Sequence, residues 1–306
     1  MKILVTGPFG HIGSKLIRYL SNFDTIDEIH CLDNMSTGRY PSLFNIEGKL
    51  RLKLIEQDLR EYEIHDAKFD LVIHLAAMTD AAGSIKKRDL IMDHNFHCTN
   101  KALAVAKVNA AKFIFISTTS VYGKQDGIVD ESCPKSQLLP QSPYAECKLR
   151  EEEIVKQAID LGYPCYILRF GTIYGISPGM RFHTAVNKFC WQAAHNIPIT
   201  VWKTALHQKR PYLDVDDATR FIKHIIMSDM EPTLYNVVTE NLTVFDVIEE
   251  IKVHKPHLQI EYVDSEIMNQ LSYEVSSIKS RGQGFEYNGS ISLGILEALK
   301  LLRSWD

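Results

Sequence analysis

No apolar stretch among the 306 residues approaches the roughly eighteen needed to span a bilayer, and no membrane association is expected. Positive charge is not in excess: 34 Lys and Arg stand against 38 Asp and Glu, a net charge of -4. That balance gives no electrostatic footprint for nucleic acid. One brief basic cluster, Lys86, Lys87 and Arg88, reads as a solvated helix start. The six cysteines, at 31, 98, 133, 147, 165 and 190, form no C-x-x-C pair and no metal-ligand spacing. Reduced thiols and no metal are expected, and Cys147 reads as a small buried filler although it neighbours Lys148. No charged n-region or cleavage site precedes the strand that begins near Met1, so a cytoplasmic protein is expected. Repeats, low-complexity tracts and flexible linkers are also lacking.

What is present is alternation. Lys2 to Thr6 (KILVT) reads as a buried strand, and Ile12 to Leu20 as the helix after it. Glu28 to Leu32, Leu52 to Ile55, Leu71 to Leu75, Phe113 to Ser117 and Cys165 to Arg169 continue the strands. Long helical patterns, Asp89 to Val108 and Tyr144 to Leu161, separate the last of them. Strands alternating with helices predict an α/β fold, a Rossmann-type doubly wound parallel sheet that binds ligands at its carboxyl edge. After Gly175, prolines at 178, 198, 211, 232 and 256 punctuate shorter mixed elements. The expected division is a dinucleotide-binding unit over 1–170, with segments near 211–240 returning to it. The expected remainder, 171–306, is a smaller, mainly substrate-binding region.

Gly7-Pro8-Phe9-Gly10-His11-Ile12-Gly13 follows the first strand and opens a helix. Glycines at Gly7, Gly10 and Gly13 permit a tight turn and close approach of backbone to a pyrophosphate, which the helix N-terminus attracts. Asp33 ends the second strand, twenty residues past Gly13. A carboxylate there accepts from ribose hydroxyls and repels a 2′-phosphate, which favours NAD over NADP, although Arg39 lies just downstream. Asp58, after the third strand, reads either as an acceptor for the adenine amino group or as a surface turn.

Tyr144 and Lys148 form a Tyr-x-x-x-Lys on one helix face. A nearby ammonium favours the phenolate, making a tyrosine serviceable as a base. Thr118, on a strand-end loop, is placed to hydrogen-bond the same substrate hydroxyl. Together the three suit hydride transfer between a secondary alcohol and NAD.

These motifs resemble those of the extended short-chain dehydrogenases, in particular the NAD-dependent epimerase/dehydratase family acting on nucleotide sugars. TGPFGHIG, LDNMSTG, VIHLAA, STTSVYG, SPYAECK, LRFGTIYG and KRPYLDVDDA occur in the family's order and cover the chain nearly end to end. The resemblance implies that His11 and Ile12 lie along the pyrophosphate and that Asn34, Ser36, Thr37 and Gly38 surround the adenosine ribose. It places Asp58 and Leu59 at the adenine and sets Leu75, Ala76 and Ala77 beside the dinucleotide, with Asn95 supporting the site backbone. On the substrate side it implies Thr172 near the sugar or diphosphate, Arg210 on the nucleotide diphosphate, and Asn187 on a phosphate from a helix beginning near Phe182.

Sugar 4,6-dehydratases of that family carry Asp-Glu after the threonine; here Thr119 and Ser120 follow, and dehydration is disfavoured. Decarboxylating members keep a glutamate at the second position, also absent. Cys98 and His183 do not fall where the 3,5-epimerising reductases place their pair. The expected reaction is therefore 4-epimerisation of a nucleotide-diphosphate sugar, with a 4-dehydrogenase or ketoreductase as the alternative. A non-catalytic NAD-binding scaffold is disfavoured because Tyr144 and Lys148 are both present. Asn269-Gln270-Leu271-Ser272-Tyr273 replaces the Arg-x-Gly-Asp-like segment of many UDP-sugar epimerases, which disfavours UDP and leaves GDP, CDP or dTDP open. Met180, Phe182, His183 and Trp202 are candidates for the pocket walls, with core packing preferred for Trp202. A homodimer through the two long helices is expected, a tetramer being the alternative.

Overall fold

Apolar runs too short for independent helices pair as parallel strands, and the amphipathic segments between them cross over to cover the sheet. The computed structural model describes residues 1–47, 51–64, 68–79, 88–264 and 272–302. Its first half comprises β1 (Lys2–Thr6), α1 (His11–Leu20), β2 (Glu28–Asp33), β3 (Arg51–Glu56), β4 (Leu71–His74), α2 (Arg88–Val108) and β5 (Lys112–Thr118). Next come β6 (Ile128–Val129), α3 (Pro143–Asp160), β7 (Cys165–Phe170), β8 (Thr172–Tyr174), α4 (Ala185–Ala194) and β9 (Ile199–Trp202). Then follow β10 (Lys209–Asp214), α5 (Val215–Met227), β11 (Leu234–Val237), β12 (Glu240–Thr243) and α6 (Val244–His254). The chain closes with β13 (Ile260–Val263), β14 (Glu274–Val275), α7 (Ile278–Gly282) and α8 (Ile291–Leu302).

Seven strands form the main sheet in the order β11-β7-β5-β4-β1-β2-β3, every pair parallel. The order reverses between β1 and β4, and the crevice beyond their carboxyl ends is the natural ligand position of such a sheet. Side-chain alternation decides the two faces. Ile3, Val5, Ile73 and Leu168 pack with Leu16, Phe221 and Ile225 of α1 and α5. Leu4, Val72, Phe113 and Phe115 pack with Ala102, Leu103 and Val155 of α2 and α3. Burying each such side chain contributes about 1.5–3 kcal/mol.

The chain leaves the main sheet between Phe170 and Thr172, where β8 joins β10 and β12 in a mixed three-stranded sheet. It returns when β11 pairs with β7, Leu234 opposite Ile167. A third core holds α4, α6 and α8 together through Val186, Ile248 and Ile295. One buried ion pair pins α3 to the sheet. Arg169 Nε and Nη2 donate to Glu152 Oε1 and Oε2 at 2.8 and 2.7 Å, and Ser117 Oγ donates to Oε1 at 2.6 Å.

Two sequence expectations need correction. Trp202 is not core: it ends β9 on the outward side of a two-stranded ladder and is 39% exposed. The helix expected near Phe182 begins at Ala185, because Thr184 is still extended as its N-cap. No helix among the described residues is long and apolar enough to cross a membrane. Lys86, Lys87 and Asn269 to Leu271 lie outside the described residues.

Candidate active site

The glycine turn is fixed by steric necessity. Gly7 has φ +68°, and a Cβ there would stand 2.7 Å from Ala76 N; a Cβ on Gly13 would stand 2.5 Å from Gly7 O. Neither position accepts a side chain without moving backbone. Ser14 N–H donates to Gly10 O at 2.9 Å, so the N–H groups of His11, Ile12 and Gly13 precede the first intrahelical bond. A helix start with free donors and no Cβ in the way fits a dinucleotide pyrophosphate.

Cations surround this turn: Arg181, Arg39 and Lys15 all act on His11. The His11 side chain itself faces the protein, with Nδ1 2.6 Å from Ser177 Oγ and Nε2 3.4 Å from Asn187 Nδ2. Burial, with the nearby cations, pulls its pKa down to about 3, so it is neutral. Its backbone, not its imidazole, is what the turn offers.

At the end of β2, Asp33 accepts from Met35 N–H at 2.9 Å and from Phe9 N–H at 3.5 Å, which ties its carboxylate to the glycine turn. Burial raises its pKa against those two bonds and Arg39. Asn34, Ser36, Thr37 and Gly38 form an exposed turn beyond it, Gly38 N–H closing onto Met35 O at 2.9 Å. Asp58 caps the short turn Leu59–Glu61, and both its oxygens are engaged by Arg60, at 3.0 and 2.8 Å. Each oxygen keeps a lone pair, so these bonds suit a surface turn and still allow an adenine amino group; Leu59 beside it is buried. Asp58, His94 and Cys98 offer ligand atoms within 4.8 Å of one another, but Arg60 takes the carboxylate and burial pushes the thiol up to about 12.

Leu75, Ala76 and Ala77 continue from β4, and the Leu75–Ala76 backbone packs directly against Gly7. Asn95, fully buried on α2, clamps the following backbone reciprocally: Met78 N–H donates to its Oδ1 at 2.8 Å and its Nδ2 donates to Met78 O at 3.0 Å.

Ser142 starts α3 by accepting from Ala145 N–H at 3.2 Å, with Pro143 at the first turn. Tyr144 and Lys148 follow one turn apart, each in the other's field. Lys148 Nζ, 3% exposed, lies 3.2 Å from Glu151 Oε2 and 4.6 Å from the Phe115 ring centroid. Burial pulls the ammonium down, yet Glu151, Tyr144 and Cys147 together bring its pKa above the ordinary value. For Tyr144, burial wins: it raises the phenol, Lys148 and Arg181 oppose, and Glu151 and Cys147 reinforce. The protein's own groups therefore do not deliver the lowered phenol that Tyr-x-x-x-Lys alone suggests. Thr118, at the end of β5, shares its hydroxyl with Ser120 Oγ at 2.9 Å, while Thr119 turns inward, 3.3 Å from Phe170 O and 3.4 Å from Tyr273 Oη.

Thr172 and Arg210 sit on neighbouring strands of the three-stranded sheet, Thr172 opposite Tyr212. The Arg210 guanidinium donates to Gln208 Oε1 at 3.1 Å and pairs with no carboxylate among the described residues. Burial lowers its pKa, with Tyr273 and Tyr212 opposing. Asn187 is fully buried: its Oδ1 accepts from Gly175 N–H at 3.2 Å and its Nδ2 donates to Arg181 O at 3.0 Å. Those bonds commit its amide to the chain itself.

Of the loop that follows β8, sequence reading named Met180, Phe182 and His183 as pocket walls but missed Gly179 and Arg181. Gly179 N–H donates to Ser14 Oγ at 2.9 Å and Arg181 Nη1 donates to Thr79 Oγ1, which brings this loop over the glycine turn. No motif marks it, because its partners are more than a hundred residues away. Glu151, Thr99 and His74 were missed because the contacts that join them span 25, 52 and 68 positions.

A glycine turn after β1, a carboxylate ending β2 and a tyrosine–lysine helix before β7 define an enzyme that works with a bound dinucleotide. The chain belongs to the NAD dependent epimerase/dehydratase family, whose sequence pattern matches residues 3–237. It is 30% identical to a dTDP-D-glucose 4,6-dehydratase of Dictyostelium discoideum over 82% of this chain and 61% of that protein. The chain thus spans about three fifths of that relative's length. The Bos taurus dTDP-D-glucose 4,6-dehydratase is 27% identical over 99% of this chain and 88% of its own. Among solved structures, UDP-glucuronic acid 4-epimerase from Bacillus cereus, in complex with UDP-glucuronic acid and NAD, superposes with a TM-score of 0.87. It is 25% identical and covered over 99% of each chain.

Proposed function

We propose that this protein is an NAD-dependent nucleotide-sugar 4-epimerase. The observation that carries the reading is the pair of hydroxyls after Thr118: Thr119 is turned into the core and Ser120 is bonded to Thr118, so neither stands as an acid or base. Elimination of water across C5 and C6 needs both. The names of the sequence relatives favour the second reading, a 4,6-dehydratase, and this local chemistry opposes it.

In the proposed mechanism Tyr144, as its phenolate, takes the proton of the C4 hydroxyl while Thr118 holds the developing alkoxide. Lys148 keeps positive charge beside the phenol, and after the 4-keto sugar has turned its other face to the cofactor Tyr144 returns its proton to the C4 oxygen. NAD, when bound, supplies the hydride acceptor and donor at C4. Gly7, Gly10, Gly13 and the helix start behind them would hold its pyrophosphate, and Asp33 its adenosine ribose. Thr172 and Arg210 would meet the sugar diphosphate, since a half-buried guanidinium with no carboxylate partner among the described residues suits an anion.

The test is a panel of UDP-, dTDP-, GDP- and CDP-sugars followed by NMR with purified protein. Inversion at C4 without net NADH supports the reading. A 4-keto-6-deoxy product, or a released 4-keto sugar with stoichiometric NADH, overturns it. A homodimer through α2 and α3, which pack on one another, and a cytoplasmic setting complete the proposal; a monomeric mass by light scattering removes the former.

A further inference from the structure

Lys148 is not held by its own helix alone. Its ammonium meets Glu151, a fully buried carboxylate one turn on, which in turn meets Thr99 of α2. Thr99 Oγ1 lies 3.0 Å from His74 Nε2, and His74 Nδ1 lies 2.7 Å from Thr6 Oγ1. Thr6 Oγ1 also accepts from Ala76 N–H at 3.4 Å. Ala76 is the residue against which Gly7 packs, and Thr6 immediately precedes Gly7. One polar line thus runs from the glycine turn to Lys148 across β1, β4, α2 and α3.

The proton inventory gives this line a direction. A carboxylate paired with an ammonium only accepts, so Thr99 spends its single proton on Glu151. Toward His74, Thr99 can then only accept, which places the imidazole proton on Nε2. Nδ1 is left as an acceptor, filled by the Thr6 hydroxyl, whose oxygen takes the Ala76 N–H. Each hydroxyl and ring proton is donated once. The scheme requires a neutral imidazole, and burial, with Lys148 nearby, holds the His74 pKa well below its ordinary value.

We propose that Glu151 is the positioning residue of Lys148, held by a one-way hydrogen-bond chain from the dinucleotide turn through Thr6, His74 and Thr99. This rests on the dinucleotide-site reading above. It assigns Glu151 two tasks. It fixes the Lys148 rotamer, and its negative charge offsets the ammonium, so that Tyr144 keeps its proton to higher pH. The charged and titratable groups acting on Tyr144 are Lys148, Glu151 and Cys147 from α3 and Arg181 from the loop after β8. Those acting on Lys148 are Glu151, Tyr144 and Cys147, with the Phe115 ring facing it from β5.

Two measurements test it. In the first, NADH affinity is measured by calorimetry, without sugar, for Thr99→Val, Lys148→Met and the double variant, with Thr99→Ser restoring the hydroxyl. The chain predicts that Thr99→Val weakens NADH several-fold, that Thr99→Ser recovers it, and that the double variant binds as Lys148→Met does. Losses that multiply, or a Thr99→Val that binds like wild type, overturn it. A wild-type protein that fails to bind NADH refutes the dinucleotide site instead. In the second, Glu151→Gln keeps the acceptor for Thr99 but not the charge. The acid limb of its pH–rate profile should move down by about one unit; a limb that stays or moves up sinks the charge assignment.

Discussion

Replacing Glu152 by alanine should cost this protein much of its stability. Arg169 is 2% exposed, its guanidinium 4.7 Å from the Tyr122 ring, and Glu152 is its carboxylate partner from α3. Removing that carboxylate strands a cation where water cannot solvate it and leaves the Ser117 hydroxyl without its acceptor at 2.6 Å. Breaking a buried pair from one side costs about 3–5 kcal/mol, against a total of about 5–15 kcal/mol for a folded domain. With a urea dependence of about 3 kcal/mol per molar, the midpoint should fall by about 1–1.7 M. The pair Glu152→Leu with Arg169→Met removes both charges and should recover most of the loss. Acid should erase the difference. Burial raises the Glu152 pKa, but the Arg169 bonds and charge, Lys156 and Ser117 outweigh it, so the folded value is lowered. A lowered carboxylate contributes stability above its unfolded range and loses it as pH falls through the folded value. The midpoints of wild type and Glu152→Ala should therefore converge below about pH 4. A loss under about 1 kcal/mol at pH 7, or a double variant as unstable as the single one, would refute the reasoning.

Tyr144→Phe should lower turnover on the best sugar by about 10²–10⁴ while NADH affinity, read by calorimetry, stays within a few-fold. Arg210→Met should raise KM for the nucleotide sugar about tenfold or more with little change in kcat; a lowered kcat at unchanged KM speaks against it. Asp214 caps α5 by accepting from Asp216 N–H at 2.7 Å, but burial, reinforced by Asp216 and Asp217, raises its pKa to about 6. Because that folded value lies above the unfolded one, ionisation opposes folding as pH rises through about 6. Asp214→Asn should therefore stabilise at pH 8 by about 3 kcal/mol at most. The gain should vanish below about pH 4, as differential scanning calorimetry at the two pH values will show.

The main sheet was legible because its strands are apolar runs bounded by turns, and a strand buried on both faces can be little else. Lys2–Thr6 and Cys165–Phe170 differ from their sequence readings by no more than a residue at either end. The start of α3 was legible for a similar reason, Ser142 and Pro143 being a local signal. Trp202 was misread because its exposure depends on which side of a short ladder β9 presents, a fact of pairing with β13. Asp58 keeps its two readings, because Arg60, two residues on, bonds both its oxygens and leaves each a lone pair.

The candidate site divides in the same way. Gly7 to Gly13, Asp33, Thr118, Tyr144 and Lys148 announce themselves because each acts through local backbone geometry or a fixed helical spacing. Sequence by itself determined the parallel sheet, the dinucleotide turn and the order of the motifs. Only the tertiary structure placed Glu151 between Lys148 and Thr99, set His74 as a neutral link to Thr6, and turned Thr119 away from its neighbour. Those depend on burial and on contacts between residues 25, 52, 68 and 154 positions apart, which no local pattern encodes.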